Sequence, residues 1–320
     1  MEPFKLQPAF KDYLWGGERL RTDYGKKTQL HPLAESWELS CHPDGESIAA
    51  SGPFAGETLR SLIEKQGEAL CGRLCAGFAD FPVLIKLIDA ARPLSIQVHP
   101  SDEYALKNEQ SFGKTEMWVI LDAQPDSFLY YGFNREVGTE ELRAAIEENR
   151  LEELLQKRPV RPGDVVFIPA GTLHAIGAGI VLCEVQQNSN LTYRVYDYGR
   201  LGADGKPRPL HVEKALAVLD RRPAAGSFAP AGEEQICGDA RLQLLAECSY
   251  FTVHSLKLDG RYTAQAEGES FRCLICTQGS GALSCGGTNL SLQKGESVFI
   301  PADAGEWRLQ GRLQAVLAGL

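Results

Sequence analysis

The sequence predicts a mainly β protein in two parts that share one structural plan, with a few α-helices packed around the first. Three observations carry this. Leu94, Ile96 and Val98 alternate with Ser95, Gln97 and His99, the period-two pattern of a strand that buries one face. Gly163-Asp-Val-Val-Phe-Ile-Pro-Ala-Gly-Thr-Leu-His174 is a buried apolar run, a tight Pro/Gly turn and a histidine opening the next strand. Gly295-Glu-Ser-Val-Phe-Ile-Pro-Ala302 repeats the first eight residues of that stretch 132 residues further on, so the strand-and-turn unit occurs twice.

The elements follow in order. Residues 1–55 are irregular; Trp37 and Leu39 alternate with Glu38 and Ser40 as in a short strand, of a kind that pads the outside of a core. Leu59, Leu62, Ile63 and Leu70 lie at helical spacing and predict a helix over 57–74. Phe81-Pro-Val-Leu-Ile-Lys-Leu-Ile-Asp89 is a buried strand with one intruder, Lys86. Its ammonium either reaches the surface on its own stem or meets an anion inside. Ser101 is placed to cap a helix over 102–110, and Gly113–Leu121 returns to strand with Lys114 and Glu116 on one face. Thr139 is placed to cap a charged amphipathic segment whose buried stripe is Leu142, Ile146, Leu151, Leu154 and Leu155. A strand over 180–186, a polar turn leading to Arg194 and a helix over 211–219 complete the first part. The Pro/Ala/Gly-rich stretch 221–234 marks the boundary between domains at 1–225 and 235–320.

Composition removes several classes of partner. The chain has 320 residues and 43% hydrophobic content, enough for sizeable cores. A net charge of −9 argues against nucleic acid or an anionic membrane surface, so any phosphate must meet a local basic cluster. No charged leader precedes an apolar run, and no apolar stretch approaches membrane-spanning length, which is the pattern of a soluble cytoplasmic protein. The nine cysteines are odd in number, scattered, and set mostly in apolar runs, as buried small hydrophobes of a reducing compartment are. Neither Cys273/Cys276 nor Cys71/Cys75 has the second, similarly spaced pair that a zinc ribbon needs.

Gln97 and His99 point the same way from their strand, and an imidazole and an amide oxygen so placed can reach one divalent ion. A polar strand face is also the ordinary solvated side of a half-buried sheet. The spacing from Gly163 to His174 resembles the second signature of the cupin fold. That resemblance implies two cupin-type, jelly-roll β-barrels, and carries metal-ligand roles onto Gln97, His99, Glu116 and His174. The asparagine that often follows the cupin histidine by four residues is Ala178 here. In the second copy Glu306 falls at the place of His174, so 235–320 is expected to be a degenerate, metal-free barrel.

Taken together, Leu94–Pro100, Lys114-Thr-Glu116, Pro169–His174 and Gln187–Arg194 resemble the type I mannose-6-phosphate isomerase family in its short form. The resemblance implies one Zn2+ per chain, a small sugar phosphate as substrate, and interconversion of mannose 6-phosphate and fructose 6-phosphate through an enediol. It also places Lys86 and Ser95 at the substrate phosphate. The family carries Lys-Pro-Glu at 114–116 and a carboxylate where this chain has Asn190. Moving a proton between C1 and C2 needs a base near those carbons and positive charge where the enediolate forms. Lys114 is the candidate catalytic base, and Arg194 the counter-candidate, as enediolate stabiliser or proton-transfer partner; an arginine rarely serves as base. The rival readings are an iron-dependent cupin dioxygenase, a non-catalytic sugar-phosphate-binding module and a cupin glucose-6-phosphate isomerase.

Overall fold

The structure is a computed structural model that describes residues 1–202 and 205–320. It is mainly β, in three antiparallel sheets. A six-stranded sheet runs Val165–Ile168, Glu116–Ala123, Ile180–Gln187, Val83–Ala90, Glu35–Leu39, Ala9–Lys11. A five-stranded sheet runs Tyr193–Tyr196, Ile96–Val98, His174–Ile176, Phe128–Phe133, Leu155–Pro159. These two face each other through Ile88, Trp118, Ile120 and Leu182 on one side and Leu129, Tyr131 and Ile176 on the other. The first barrel is thus a pair of facing sheets, as in a jelly roll, with no ladder among the described residues closing it into a ring. Val83–Ala90 and Ile180–Gln187 are buried along their whole length, which is why they read as continuous apolar runs.

The outer face of the five-stranded sheet is covered by the expected stripe, Leu142, Ile146, Leu151, Leu154 and Leu155, against Ile96, Val98 and Val195. Its helix spans Thr139–Glu147 with Gly138 at the cap, so Thr139 is the first helical residue; Leu151–Leu154 is a 3-10 turn. The helix expected over 57–74 is instead Leu59–Gln66, capped by Thr58, followed by Glu68–Cys71 and a 3-10 turn. Gly67 at φ +54° and Gly72 at φ +88° break it. Ser101 makes no capping bond to the helix Asp102–Asn108.

The nine-stranded sheet of the C-terminal part packs on the outer face of the six-stranded one, where Phe271 and Phe299 meet Ile85, Met117 and Val185. The repeat is structural: Ser297–Ile300 takes the place of Val165–Ile168 residue for residue, each strand following a left-handed glycine, Gly295 and Gly163. Two features from residues 1–55 join the halves. Phe4–Gln7 is a strand of the C-terminal sheet, paired with Ser297–Ile300. Glu35–Leu39 is a fully buried strand, not outer padding, and its Glu38 meets Lys26 at 2.5 Å, Ser36 at 2.5 Å and Ser297 at 2.8 Å. All nine cysteines are free thiols, six of them buried, and burial pushes Cys273 well up, in keeping with a packing role. Among the described residues no helix is long and apolar enough to cross a membrane.

Candidate functional site

The short strand Ile96–Val98 lies between Tyr193–Tyr196 and His174–Ile176, and its register sets Gln97 opposite both His174 and Arg194. Three polar residues distant in sequence therefore share one row across the sheet. His99 follows at the strand end, and its carbonyl accepts from Gly171 N–H at 2.8 Å, tying it to the turn that delivers His174. Glu116 opens a strand of the facing sheet, opposite Ile168 and Gln186.

The ligand atoms of His99, Glu116 and His174 lie within 4.8 Å of one another, and all three side chains are buried. Each imidazole gives Nδ1–H to a backbone carbonyl, His99 to Leu191 and His174 to Thr172, both at 2.9 Å. A carbonyl can only accept, so each Nε2 is the ring nitrogen left to face the cluster, His99 Nε2 with the Lys114 ammonium at 3.2 Å and His174 Nε2 with no donor among the described residues. His174 Nε2 stands 3.2 Å from Glu116 Oε1, and among the described residues neither buried atom has a hydrogen-bond partner. Two acceptors turned on each other inside a core call for a cation. Burial, then Lys114, holds the His99 imidazole well below its usual range, in its neutral form. Burial would raise the Glu116 carboxyl, but Lys114 and the two imidazoles hold it well below the usual carboxylate range. The residues fit a divalent ion with nitrogen and oxygen preference.

A charged layer backs this cluster. The Lys114 ammonium bonds the Glu116 carboxylate and lies 3.2 Å from His99 Nε2 and 3.6 Å from Glu184 Oε1. Lys86 does not reach the surface. It is 4% exposed, with Glu184 at 3.4 Å, Glu35 at 3.6 Å and the Trp37 ring beneath it. Burial would lower the Lys86 pKa, but Glu35 and Glu184 outweigh it and hold the ammonium charged. Trp118 Nε1–H and Trp37 Nε1–H anchor the two carboxylates at 2.9 and 2.6 Å. Carboxylates Glu35, Glu116 and Glu184 against ammonium groups Lys86 and Lys114 leave one negative charge, which a divalent cation turns into one positive charge.

Lys86, Ser95, Gln97, Lys114, Glu184 and Arg194 all line one cavity of about 270 Å3. Ser95 Oγ–H donates to Gln97 Oε1 at 3.3 Å. Arg194 Nη1 donates to the Pro209 carbonyl at 3.0 Å, while its buried Nε has no partner among the described residues. Burial and then Arg208 lower the Arg194 pKa. Every sequence-predicted site residue thus falls in the cavity or in the buried cluster that Lys114 touches. Glu184 and Glu35 were missed, although Glu184 carried a signal: a lone carboxylate inside the apolar run 180–185 needs a buried cation. Asp44 was missed too; it accepts from Asn190 Nδ2 at 2.9 Å and so brings a carboxylate beside the cavity-lining Asn190.

The family model for the phosphomannose isomerase type I catalytic domain matches residues 3–126, and that for the mannose-6-phosphate isomerase cupin domain matches residues 241–318. Mannose-6-phosphate isomerase ManA of Bacillus subtilis is 38% identical over 320 residues, covering 100% of this chain and 99% of its own. The chain belongs to the mannose-6-phosphate isomerase family. Within it, the enzyme of Streptococcus mutans is 34% identical over 98% of this chain and 97% of its own length. The crystal structure of the mannose 6-phosphate isomerase from Bacillus subtilis superposes with a TM-score of 0.92 at 34% identity, each chain covered in full. The apo phosphomannose isomerase from Salmonella typhimurium, at 22% identity and a TM-score of 0.76 over 99% of both chains, shares the fold.

Proposed function

We propose that the protein interconverts mannose 6-phosphate and fructose 6-phosphate, with zinc held by Gln97, His99, Glu116 and His174. The observation that carries the reading is the pair of orphaned acceptors, Glu116 Oε1 and His174 Nε2, buried next to a cavity lined by cationic side chains. Bound there, zinc would supply Lewis-acid charge beside the sugar's C1 and C2 oxygens. Lys114 would carry the proton between C2 and C1, since its Nζ is the amine nearest the ligand cluster. Arg194, which stays protonated, would hold the negative charge that develops on the enediolate. Lys86 and Ser95 would face the phosphate, with residues 1–225 carrying the chemistry and 235–320 metal-free. Free thiols and a sugar-phosphate substrate both suit the cytoplasm, where we place the protein.

The test is a coupled assay of mannose 6-phosphate conversion before and after chelation. Activity should vanish with the chelator and return with zinc. Zinc-loaded protein that leaves mannose 6-phosphate untouched, or that holds iron and consumes oxygen, overturns the proposal.

The phosphate assignment has its own test. Lys86→Ala should raise KM for the phosphorylated sugar by about 10- to 100-fold, the worth of a hydrogen bond to a charged group. Metal content is the control, and an unchanged KM refutes the role.

A further inference from the structure

The C-terminal part touches the segment next to the site through the side chain of Tyr250. Tyr250 lies in the turn between strands Ala240–Glu247 and Thr252–Ala266, and its hydroxyl donates to Asp102 Oδ2 at 2.8 Å. Burial, and after it the bond to Asp102, pushes the phenol up to about 12, so it remains a donor at neutral pH. Asp102 Oδ1 accepts from the Gly113 N–H at 2.7 Å and from Gln187 Nε2 at 2.9 Å. Gln187, itself buried, continues the chain: its Oε1 accepts from the Thr115 N–H at 2.8 Å, and its own N–H donates to the Thr115 carbonyl at 3.1 Å.

Gly113 and Thr115 flank Lys114, whose N–H donates to the Pro100 carbonyl at 3.0 Å, one residue past His99. All three backbone donors from 113 to 115 are therefore fixed from outside their own segment, two of them by the Tyr250–Asp102–Gln187 chain. A Cβ on Gly113 would lie 2.5 Å from Asp102 N, so glycine is what allows the two segments to touch. The segment held this way lies outside regular structure until Glu116 begins its strand, so these bonds set where Lys114 and Glu116 stand relative to His99. Metal ligation and proton transfer both lose efficiency with displacements of about 1 Å.

We propose that Tyr250, Asp102 and Gln187 are positioning residues through which the second domain sets the geometry of Lys114 and Glu116. The inference rests on the proposed metal site. Tyr250→Phe removes one hydroxyl and keeps the ring beside Phe78, so the fold is not at stake. The probe is cobalt(II), loaded into the full-length protein in place of zinc and followed by its visible absorption as a chelator withdraws it.

Tyr250→Phe is expected to release cobalt about 3- to 10-fold faster, below the roughly 10- to 100-fold that direct outer-shell partners of metal ligands contribute, because Tyr250 acts through Asp102. In zinc-loaded protein kcat should fall by a similar factor with KM within about twofold, because the effect acts on the reacting groups and not on the phosphate end. Gln187→Met should do the same, and the double variant should add little to either single one, since both break one chain. Unchanged cobalt release in Tyr250→Phe overturns the inference, and so do losses that add fully or that only track a fall in Tm. Cobalt release is read without substrate. A wild type that fails to turn over mannose 6-phosphate therefore sinks the proposed reaction and leaves the positioning role standing, whereas one that takes up no cobalt sinks both.

Discussion

His174→Ala should remove the bound metal and reduce kcat/KM by about 1,000-fold or more. The size follows from two steps. His174 Nε2 and Glu116 Oε1 face each other at 3.2 Å with no other partner, so deleting the imidazole takes away one of the cluster's two nitrogen donors. A Lewis acid is worth several kcal/mol of transition-state stabilisation, and each 1.36 kcal/mol is a factor of about ten. Metal content by atomic spectroscopy and turnover should fall together. Chelated wild type should reach the same floor, and chelating the variant should lower it no further, because groups that act as a unit are not additive. A His174→Ala protein that keeps its ion and most of its turnover would remove His174 from the ligand set.

The second large effect lies away from the site and concerns stability. Glu38 is fully buried and accepts from Lys26, Ser36 and Ser297, so it ties the six-stranded sheet to the C-terminal one. Glu38→Ala leaves the Lys26 ammonium in the core without its counter-charge, which costs about 3–5 kcal/mol. At roughly 2 °C per kcal/mol for a chain of this size, Tm should drop by about 5–10 °C. Replacing both partners, Lys26→Met with Glu38→Leu, should recover most of the loss, because the expensive state is the unpaired charge and not the absence of the pair. A single variant within about 1 kcal/mol of wild type would show that the pair does not hold the sheets together.

The positions of His99 and His174 were legible in short-range patterns, whereas their metal role, and that of Glu116, came from the family resemblance. The alternation from Leu94 to His99 and the turn from Pro169 to His174 each lie within one strand and its turn, where side-chain direction follows from backbone period. The charged layer was not legible, because Glu184 meets Lys86 by pairing strands about 100 residues apart and no local period encodes that register. The helix expected over 57–74 failed for a related reason. Its apolar spacing is real, but at Gly72 an added Cβ would lie 2.4 Å from the Glu269 carbonyl oxygen, and that close approach overrides helical continuity. Phe4 and Leu6 do alternate with Lys5 and Gln7, yet four residues in an irregular stretch gave no hint that their partner lies at 297–299.

That pairing also sets an order of events during synthesis. The strand Phe4–Gln7, with Phe4 stacked on Phe299 at 5.3 Å, leaves the ribosome long before the segment it pairs with. At roughly 5–20 residues per second the wait is on the order of 15–60 s. Through that interval the strand has no ladder on the C-terminal side, and Lys5 and Gln7 between its apolar residues are the kind of polar side chains that discourage premature edge pairing. Two polypeptides made separately by cutting within 226–234 would divide the nine-stranded sheet: the C-terminal piece would expose the Ser297–Ile300 edge, and the N-terminal piece would carry only the two-stranded remnant Phe4–Gln7 with Ile48–Ala49.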